Sequence, residues 1–382
     1  MYEQEMIEVR RSLHRHPEIS FKEFKTSNFI TSFLDDLGVS YRKVETGVVA
    51  FLDTNKPGKH LGFRGDMDAL GLQELNEHGY KSEQPGVMHG CGHDAHTTIL
   101  LFTIKILQEN LNKFSGKFTF IFQHAEEIPP GGAKILIEAG ALEGVDYIYG
   151  LHCDPEYDVG QVMCKAGPLM AAVDKFQVKV IGKGGHGAMP HLCIDPIVLT
   201  AQIIVNLQTV VSRSTDPLEA VLVTIGKLHG GDSFNVIPES VTFEGTVRTL
   251  SNNVRVNTEA RIRSILGGMT QAYDASYEMI WLKGYSVLNN DAEAVKVVET
   301  VARKILGESA YKSKREARLL GEDFASYLEV VPGAFFFLGT KGQEATSYPL
   351  HSPRFDIDER ALTKGVEMFI GIAECHNSKR HE

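Results

Sequence analysis

The feature that most constrains the fold is an alternation. Short β-rich runs, each ending in a cluster of polar residues, recur between stretches with helical spacing. Leu61 to Arg64 runs into Gly65-Asp66-Met67-Asp68, Phe118 to Phe122 into His124-Ala125-Glu126-Glu127, and Tyr147 to Leu151 into His152. Ser20 to Leu37 carries Phe21, Phe24, Phe29, Phe33 and Leu37 at helical spacing and is closed by Gly38, and Thr97 to Leu111 reads as a further helix. Strands alternating with helices predict an α/β fold around a mostly parallel sheet. Ligands of such sheets sit beyond the carboxyl ends of the strands, where the polar clusters would converge.

From about Ala172 the texture changes. A strand from Lys175 to Ile181, a helix from Pro196 to Val211, strands Val221 to Gly226 and Ser240 to Thr246, and a helix from Asn253 to Ala272 form a β-α-β-β-α unit that resembles a ferredoxin-like domain. After Tyr285 the first pattern resumes, with Phe335 to Leu338 as a strand and Leu362 to Cys375 as the closing helix. The expected organisation is a discontinuous first domain, 1–171 and 286–382, interrupted by a second at 172–285. A chain of 382 residues is long enough for two such cores.

Charge and composition exclude several partners. The formal net charge is −10 and no long basic run occurs, which argues against nucleic acid and anionic membrane. Met1 to Leu13 mixes Glu and Arg with isolated apolar positions, and Lys105 interrupts the apolar stretch Thr98 to Leu107, so neither a secretory signal nor a membrane span is expected. Five scattered cysteines do not make a disulfide framework and fit a reducing cytoplasm.

The densest chemical signal is His89-Gly90-Cys91-Gly92-His93-Asp94-Ala95-His96, just before a helix. Cys, His and Asp coordinate zinc and its neighbours, glycines let backbone fold tightly around an ion, and a helix start favours a thiolate. Alone, the run is a moderate signal, and a turn with polar caps is the other reading of it. Adjacent carboxylates at Glu126 and Glu127, His152 after a buried strand and His351 in Pro349-Leu350-His351-Ser352-Pro353 tip the balance. Donors gathered from several segments are usual for catalytic sites, whereas structural zinc sites favour Cys-x-x-Cys knuckles, which this sequence lacks.

At these residues the sequence resembles the aminoacylase and hippurate hydrolase group of dinuclear metallo-amidohydrolases, related to glutamate carboxypeptidase and N-acetyl-diaminopimelate deacetylase. The match runs from Arg11-Ser12-Leu13-His14-Arg15-His16-Pro17-Glu18 to His351. It takes in Arg64-Gly65-Asp66-Met67-Asp68-Ala69-Leu70, the His-Gly-Cys-Gly-His-Asp run, Ala125-Glu126-Glu127, Gly150-Leu151-His152, Gly184-Gly185-His186-Gly187, Asn235-Val236-Ile237-Pro238, Gly245-Thr246-Val247-Arg248 and Gly321-Glu322-Asp323-Phe324. The resemblance implies two divalent ions per subunit, manganese or zinc with cobalt or nickel as options, held by Cys91, His93, Glu127, His152 and His351. It implies Glu126 as general base and Asp66 as the carboxylate that orients a metal-binding histidine or tunes the ion pair. His186, Asn235 and Arg248 would meet the oxyanion and the carboxylate of an N-acyl amino acid, with Arg248 expected beside Asn235 across a hairpin. The inserted domain would act as a lid, and the resemblance admits a homodimer formed through it.

The implied reaction is hydrolysis of the amide bond of an N-acyl amino acid. The alternatives are a dedicated N-acetyl-diaminopimelate deacetylase, a dipeptidase, an inert metal-binding scaffold, or a thiol hydrolase using Cys91 that would leave the glutamates without a role. Three positions depart from the family pattern, Gly71 and His124 where prolines are usual and Ser286 in place of the proline of a Tyr-Pro. These bear on the acyl pocket and remove no ligand. His14 and His16 read as hydrogen bonders near a helix end, His89 and His96 as orienting or packing groups, and Cys153 as a buried small hydrophobe.

Overall fold

The structure is a computed structural model that describes residues 2–313, 316–342 and 344–378. The chain divides into two compact units, one of Met1–Gly167, Asn289–Glu316 and Asp323–Glu382, the other of Pro168–Leu288 and Ala317–Glu322. The crossings lie within a few residues of 171/172 and 285/286. The segment Ala317–Glu322 departs from the expected ranges by joining the second unit. It is held there by backbone pairing, in which Ala171 N–H donates to the Leu320 carbonyl and Arg318 N–H to that of Leu169.

The first unit is built on an eight-stranded sheet in the order Ser40–Val44, Gly47–Asp53, Lys117–Gln123, His60–Asp66, Tyr147–Asp158, Gly333–Lys341, Val162–Met163, Tyr311–Lys312. The four central strands, from Lys117–Gln123 to Gly333–Lys341, run parallel, and antiparallel pairs flank them. Parallel strands covered on both faces need apolar side chains at every position, which is why Phe118-Thr119-Phe120-Ile121-Phe122 is a continuous buried run. Leu61 to Arg64 pair with Tyr147 to Gly150, so His152 lies just past the paired segment.

The helix His93–Glu109 packs against this sheet and against the helices Glu3–Arg15 and Arg360–Ser378. Ile99, Leu100, Leu101, Phe102, Ile104 and Leu107 are all fully buried. At roughly 1.5–3 kcal/mol per large apolar side chain buried, the helix axis is firmly set, and with it the residues at its start. A Cβ on Gly65 would stand 2.9 Å from the His96 carbonyl oxygen, so glycine is what lets strand and helix approach here.

The expected stripe on the second helix is corrected. The helix spans Phe24–Asp36 and buries Thr26, Ser27, Ile30, Thr31 and Leu34. Phe21 precedes it with φ +64°, and Phe24 is exposed. Phe29, Phe33 and Leu37 do pack against the core, partly buried beside the fully buried Ile30 and Leu34, so the stripe departs from expectation only at Phe21 and Phe24.

The second unit has the strand order Val221–His229, Ser240–Thr249, Ala172–Ile181, Ser276–Lys283, all neighbours antiparallel, with helices Pro196–Ser214 and Asn252–Ala272. This is the ferredoxin-like arrangement, completed by the strand Ser276–Lys283 that the sequence reading did not include. Asp195 caps the first of these helices by accepting from Ile197 N–H at 2.8 Å. Among the described residues this helix is the one that is long and apolar enough to cross a membrane. Its Leu199, Ile203, Leu207 and Val210 are buried in the unit's own core, while Ile197, Val198 and Val205 are exposed.

Candidate functional site

Three loops of the first unit meet beyond the strand ends, and at each the backbone turns through a left-handed conformation. Gly92 has φ +90° at the start of the helix His93–Glu109, Ala125 has φ +52° between the strand Lys117–Gln123 and the two glutamates, and His351 has φ +63°. Non-glycine residues rarely adopt positive φ, and such strain concentrates at sites whose side chains must be aimed. The turn at His351 is pinned by its N–H donating to the Gly90 carbonyl at 2.8 Å, which brings this late residue beside the Cys91 loop.

Side chains converge accordingly. Cys91 Sγ lies 3.4 Å from His152 Nε2. Glu127 Oε1 lies 3.4 Å from His351 Nε2 and 3.9 Å from His93 Nε2. Donor atoms of Cys91, His93 and His152, of Cys91, Glu127 and His351, and of His93, Glu126 and Glu127 form three interlocked groups, each within 4.8 Å. All five residues expected as ligands, and Glu126, are thus brought together.

Each histidine presents a fixed nitrogen. His152 Nδ1 donates to the Cys153 carbonyl at 2.7 Å, leaving Nε2 toward Cys91. His93 Nδ1 donates to the Asp68 carbonyl at 2.9 Å and lies 3.2 Å from Asp68 Oδ1. His93 Nε2 and Glu127 Oε1 are buried without a hydrogen-bond partner among the described residues. Buried polar atoms are nearly always satisfied, so two orphans facing each other in a thiol, imidazole and carboxylate cluster fit a divalent cation.

The protonation balance agrees. Burial opposes charge on His93, yet Asp66 and Asp68 outweigh it and raise its pKa to about 10. Burial, with Glu127, Glu126 and Asp66 close by, pushes the Cys91 thiol well up. The helix start therefore does not by itself deliver the thiolate expected from the sequence. A bound cation would reverse both effects by displacing the two protons.

Of the two roles expected of Asp66, orienting a metal-binding histidine falls to its neighbour. The carboxylate that hydrogen-bonds His93 is Asp68, whose Oδ2 also accepts from Glu127 N–H at 3.0 Å and from the Ser20 hydroxyl at 2.7 Å. Asp66 Oδ2 is 3.7 Å from His93 Nε2, and its hydrogen bonds go to His96 Nδ1 and Arg64. His96 Nε2 accepts from Cys153 N–H at 2.8 Å, so both its nitrogens are used and it fixes the strand carrying His152. Arg64 continues to Asp323 at 3.0 Å, which explains the Gly-Glu-Asp-Phe motif. The missed signal was Asp66-Met67-Asp68 itself, since residues two apart at a strand end face the same side.

The remaining expected residues lie in the second unit. His186 and Asn235 are neighbours on a small ribbon, where His186 pairs with Val236 and Gly187 N–H donates to the Asn235 carbonyl at 2.8 Å. Arg248 is not across a hairpin from Asn235. It sits on the strand Ser240–Thr249 opposite Leu222 and Val173, because Val236–Ile237 leaves that sheet to pair with Gly185–His186. Arg248 donates to the Thr246 hydroxyl at 2.6 Å and, with Lys175 and Lys227, lines an open depression of ≈ 400 Å³.

The model of the peptidase family M20/M25/M40 matches residues 62–374. The chain belongs to this family. An N-acetyl-L-cysteine deacetylase of Bacillus subtilis is 41% identical over 364 residues, covering 95% of this chain and 86% of that one. An N-acyl-L-amino acid amidohydrolase of Geobacillus stearothermophilus is 43% identical over 290 residues, covering 75% and 78%. A solved dinuclear metal-binding peptidase of the M20 family from Bacillus subtilis superposes with a TM-score of 0.87 at 34% identity, covering 98% of each chain. The M20 chain described here is accordingly a hydrolase of C–N bonds with a metal-binding donor set.

Proposed function

We propose that this enzyme hydrolyses the amide bond of N-acyl amino acids, with two divalent ions held by Cys91, His93, Glu127, His152 and His351. The observation that carries the reading is the pair of orphaned atoms, His93 Nε2 and Glu127 Oε1, inside the three interlocked donor groups. The mixture of one sulfur, three imidazole nitrogens and a carboxylate suits zinc and also admits manganese, cobalt or nickel. When bound, the ions supply Lewis acidity toward the scissile carbonyl and the attacking water.

The chain's own groups do the rest. Glu126, next to the ligand Glu127 but turned differently by the left-handed Ala125, takes a proton from the attacking water and returns it to the departing nitrogen. Water oxygen bonds to the acyl carbon, the C–N bond breaks, and a carboxylate and a free amino acid leave. Asp68 and His96 hold His93 and the His152 strand, while Asp66 supplies negative charge beside His93. His186 and Asn235 stabilise the developing oxyanion, and the Arg248 guanidinium receives the substrate carboxylate as a charge-assisted pair. The reading places the enzyme in a reducing compartment, in keeping with five free cysteines. It includes a homodimer through the second unit, whose Val205, Ile280 and Leu282 stand exposed.

A panel of N-acetyl and N-benzoyl amino acids, N-acetyl-diaminopimelate and dipeptides, assayed after chelation and after readdition of Mn, Zn, Co or Ni, tests the proposal. Hydrolysis of N-acyl amino acids that disappears with metal and returns with it is expected. Full turnover in metal-free protein, confirmed by elemental analysis, would overturn it.

A further inference from the structure

A second group of donors, distinct from the five around Cys91, lies in the first unit. His14, on the helix Glu3–Arg15, and Glu74 and His78, in the loop that follows Gly71, place His14 Nε2, His78 Nε2 and a Glu74 oxygen within 4.8 Å of one another. His14 and Glu74 are buried, and the side chain of His78 keeps 19% of its exposure while both its ring nitrogens are buried.

The imidazole-to-carboxylate distances lie at the long edge of hydrogen bonding. Glu74 Oε1 is 3.3 Å from His14 Nε2 and 3.2 Å from His78 Nε2, and Asn76 Nδ2 approaches the same oxygen at 3.1 Å. Charge-assisted N–H···O bonds are shorter, about 2.7–2.9 Å, and one carboxylate oxygen has only two lone pairs for these three groups. Both nitrogens of His78 lack a well-formed hydrogen bond among the described residues. In a tetrahedral zinc site with bonds near 2.0–2.1 Å, neighbouring ligand atoms stand about 3.3 Å apart. The two imidazole-to-carboxylate distances match that edge.

The surroundings have the form that metal-binding histidines require. His14 Nδ1 lies 2.7 Å from Asp94 Oδ2, the carboxylate–histidine arrangement that fixes a tautomer and aims Nε2 at an ion. Glu74 is oriented through its other oxygen, which accepts from Ser82 N–H at 2.7 Å. Asp356 Oδ2, 3.7 Å from His78 Nε2, is within reach as a fourth donor. Charge favours a dication too. Glu74, Asp94, Asp356 and Glu359 face the guanidiniums of Arg10 and Arg11, which pair with three of these four carboxylates, and otherwise the imidazoles of His14 and His78.

We infer that His14, Glu74 and His78 form a structural site for a zinc-class divalent ion, separate from the catalytic pair. The site ties the irregular loop before Cys91 to the first helix. Fixing a long loop at an interior point removes part of its conformational freedom, and through Asp94 the tie reaches the start of the helix that carries His93. The inference does not depend on the proposed substrate or on occupancy at Cys91.

The test is a crystal of the wild-type protein loaded with zinc, desalted and measured at the zinc absorption edge, beside elemental analysis of wild type and His78→Gln. Anomalous density among His14 Nε2, Glu74 Oε1 and His78 Nε2, with one zinc fewer per chain in the variant, is expected. The third ion should also raise the unfolding temperature of wild type more than that of the variant. Absence of density among those atoms, whatever is found at Cys91, overturns the inference, as does an equal zinc count in a correctly folded variant. If His78→Gln does not fold, the wild-type anomalous map decides alone.

Discussion

Replacing Asp68 by Asn removes one charge and one acceptor from a buried carboxylate that serves both His93 and Glu127. Glu127 N–H donates to Oδ2 at 3.0 Å and can only donate, so the amide oxygen of Asn must take that position. The Ser20 hydroxyl at 2.7 Å can rotate to suit it. The amide nitrogen then faces His93 Nδ1, 3.2 Å away, and donor meets donor. Relief by moving the imidazole proton to Nε2 is opposed by the Asp68 carbonyl, which accepts from Nδ1 at 2.9 Å, and would block the nitrogen that faces Glu127. Loss of such an orienting partner costs about 10–100-fold in metal affinity, about 1.4–2.8 kcal/mol. Competition with a chromophoric chelator would measure this, with kcat taken at saturating metal to separate affinity from chemistry. Unchanged affinity in a folded Asp68→Asn protein would refute the assignment of Asp68 as the group that holds His93.

Three further outcomes follow from the same geometry. Arg10, fully buried and 2.8 Å from both Asp94 and Asp356, leaves uncompensated carboxylates when cut to Ala, so Arg10→Ala should lose about 3–5 kcal/mol by urea unfolding, and a loss under about 1 kcal/mol would contradict this. In metal-free protein His93 is raised to about 10, so its stabilising charge is complete below its ordinary value near 6.5 and is lost as pH rises toward about 10. Melting temperatures in chelator should therefore fall from neutral pH upward, and a flat or rising profile would count against the charged His93. Arg248→Ala should cost about 1.5–3 kcal/mol in kcat/KM for an N-acyl amino acid and far less for its amide, whereas equal losses would make Arg248 structural.

The strands and the donor-bearing motifs were legible because the information is local. A continuous apolar run such as Phe118 to Phe122 can hardly be anything but a buried strand, and the polar residues at its end must then lie at the sheet's edge. What stayed hidden is the pairing between distant positions. Nothing near His14 announces Asp94 or Glu74, yet those contacts turn an apparent helix-end histidine into a buried one. Asp66 and Asp68 differ by which histidine of the helix His93–Glu109 each meets, so the motif could not assign their roles. The strand Ser276–Lys283 escaped notice because Ile280 and Leu282 are exposed on its far face, which erases the alternation a half-buried strand normally shows. Arg248 and Asn235 were misjoined because a two-residue ribbon, Val236–Ile237, diverts the chain away from the main sheet.

The central claim is a division of labour between neighbouring glutamates at a metal centre. Its most direct test is the metal content and turnover of Glu126→Gln measured beside Glu127→Gln. A general base contributes about 10²–10⁴-fold, so Glu126→Gln should keep its metal and lose turnover by about that factor or more. Glu127→Gln, with a ligand carboxylate made neutral, should be metal-poor and partly rescued by excess ion. Metal loss in Glu126→Gln with retention in Glu127→Gln would reverse the roles, and full activity in both would contradict the hydrolytic mechanism itself.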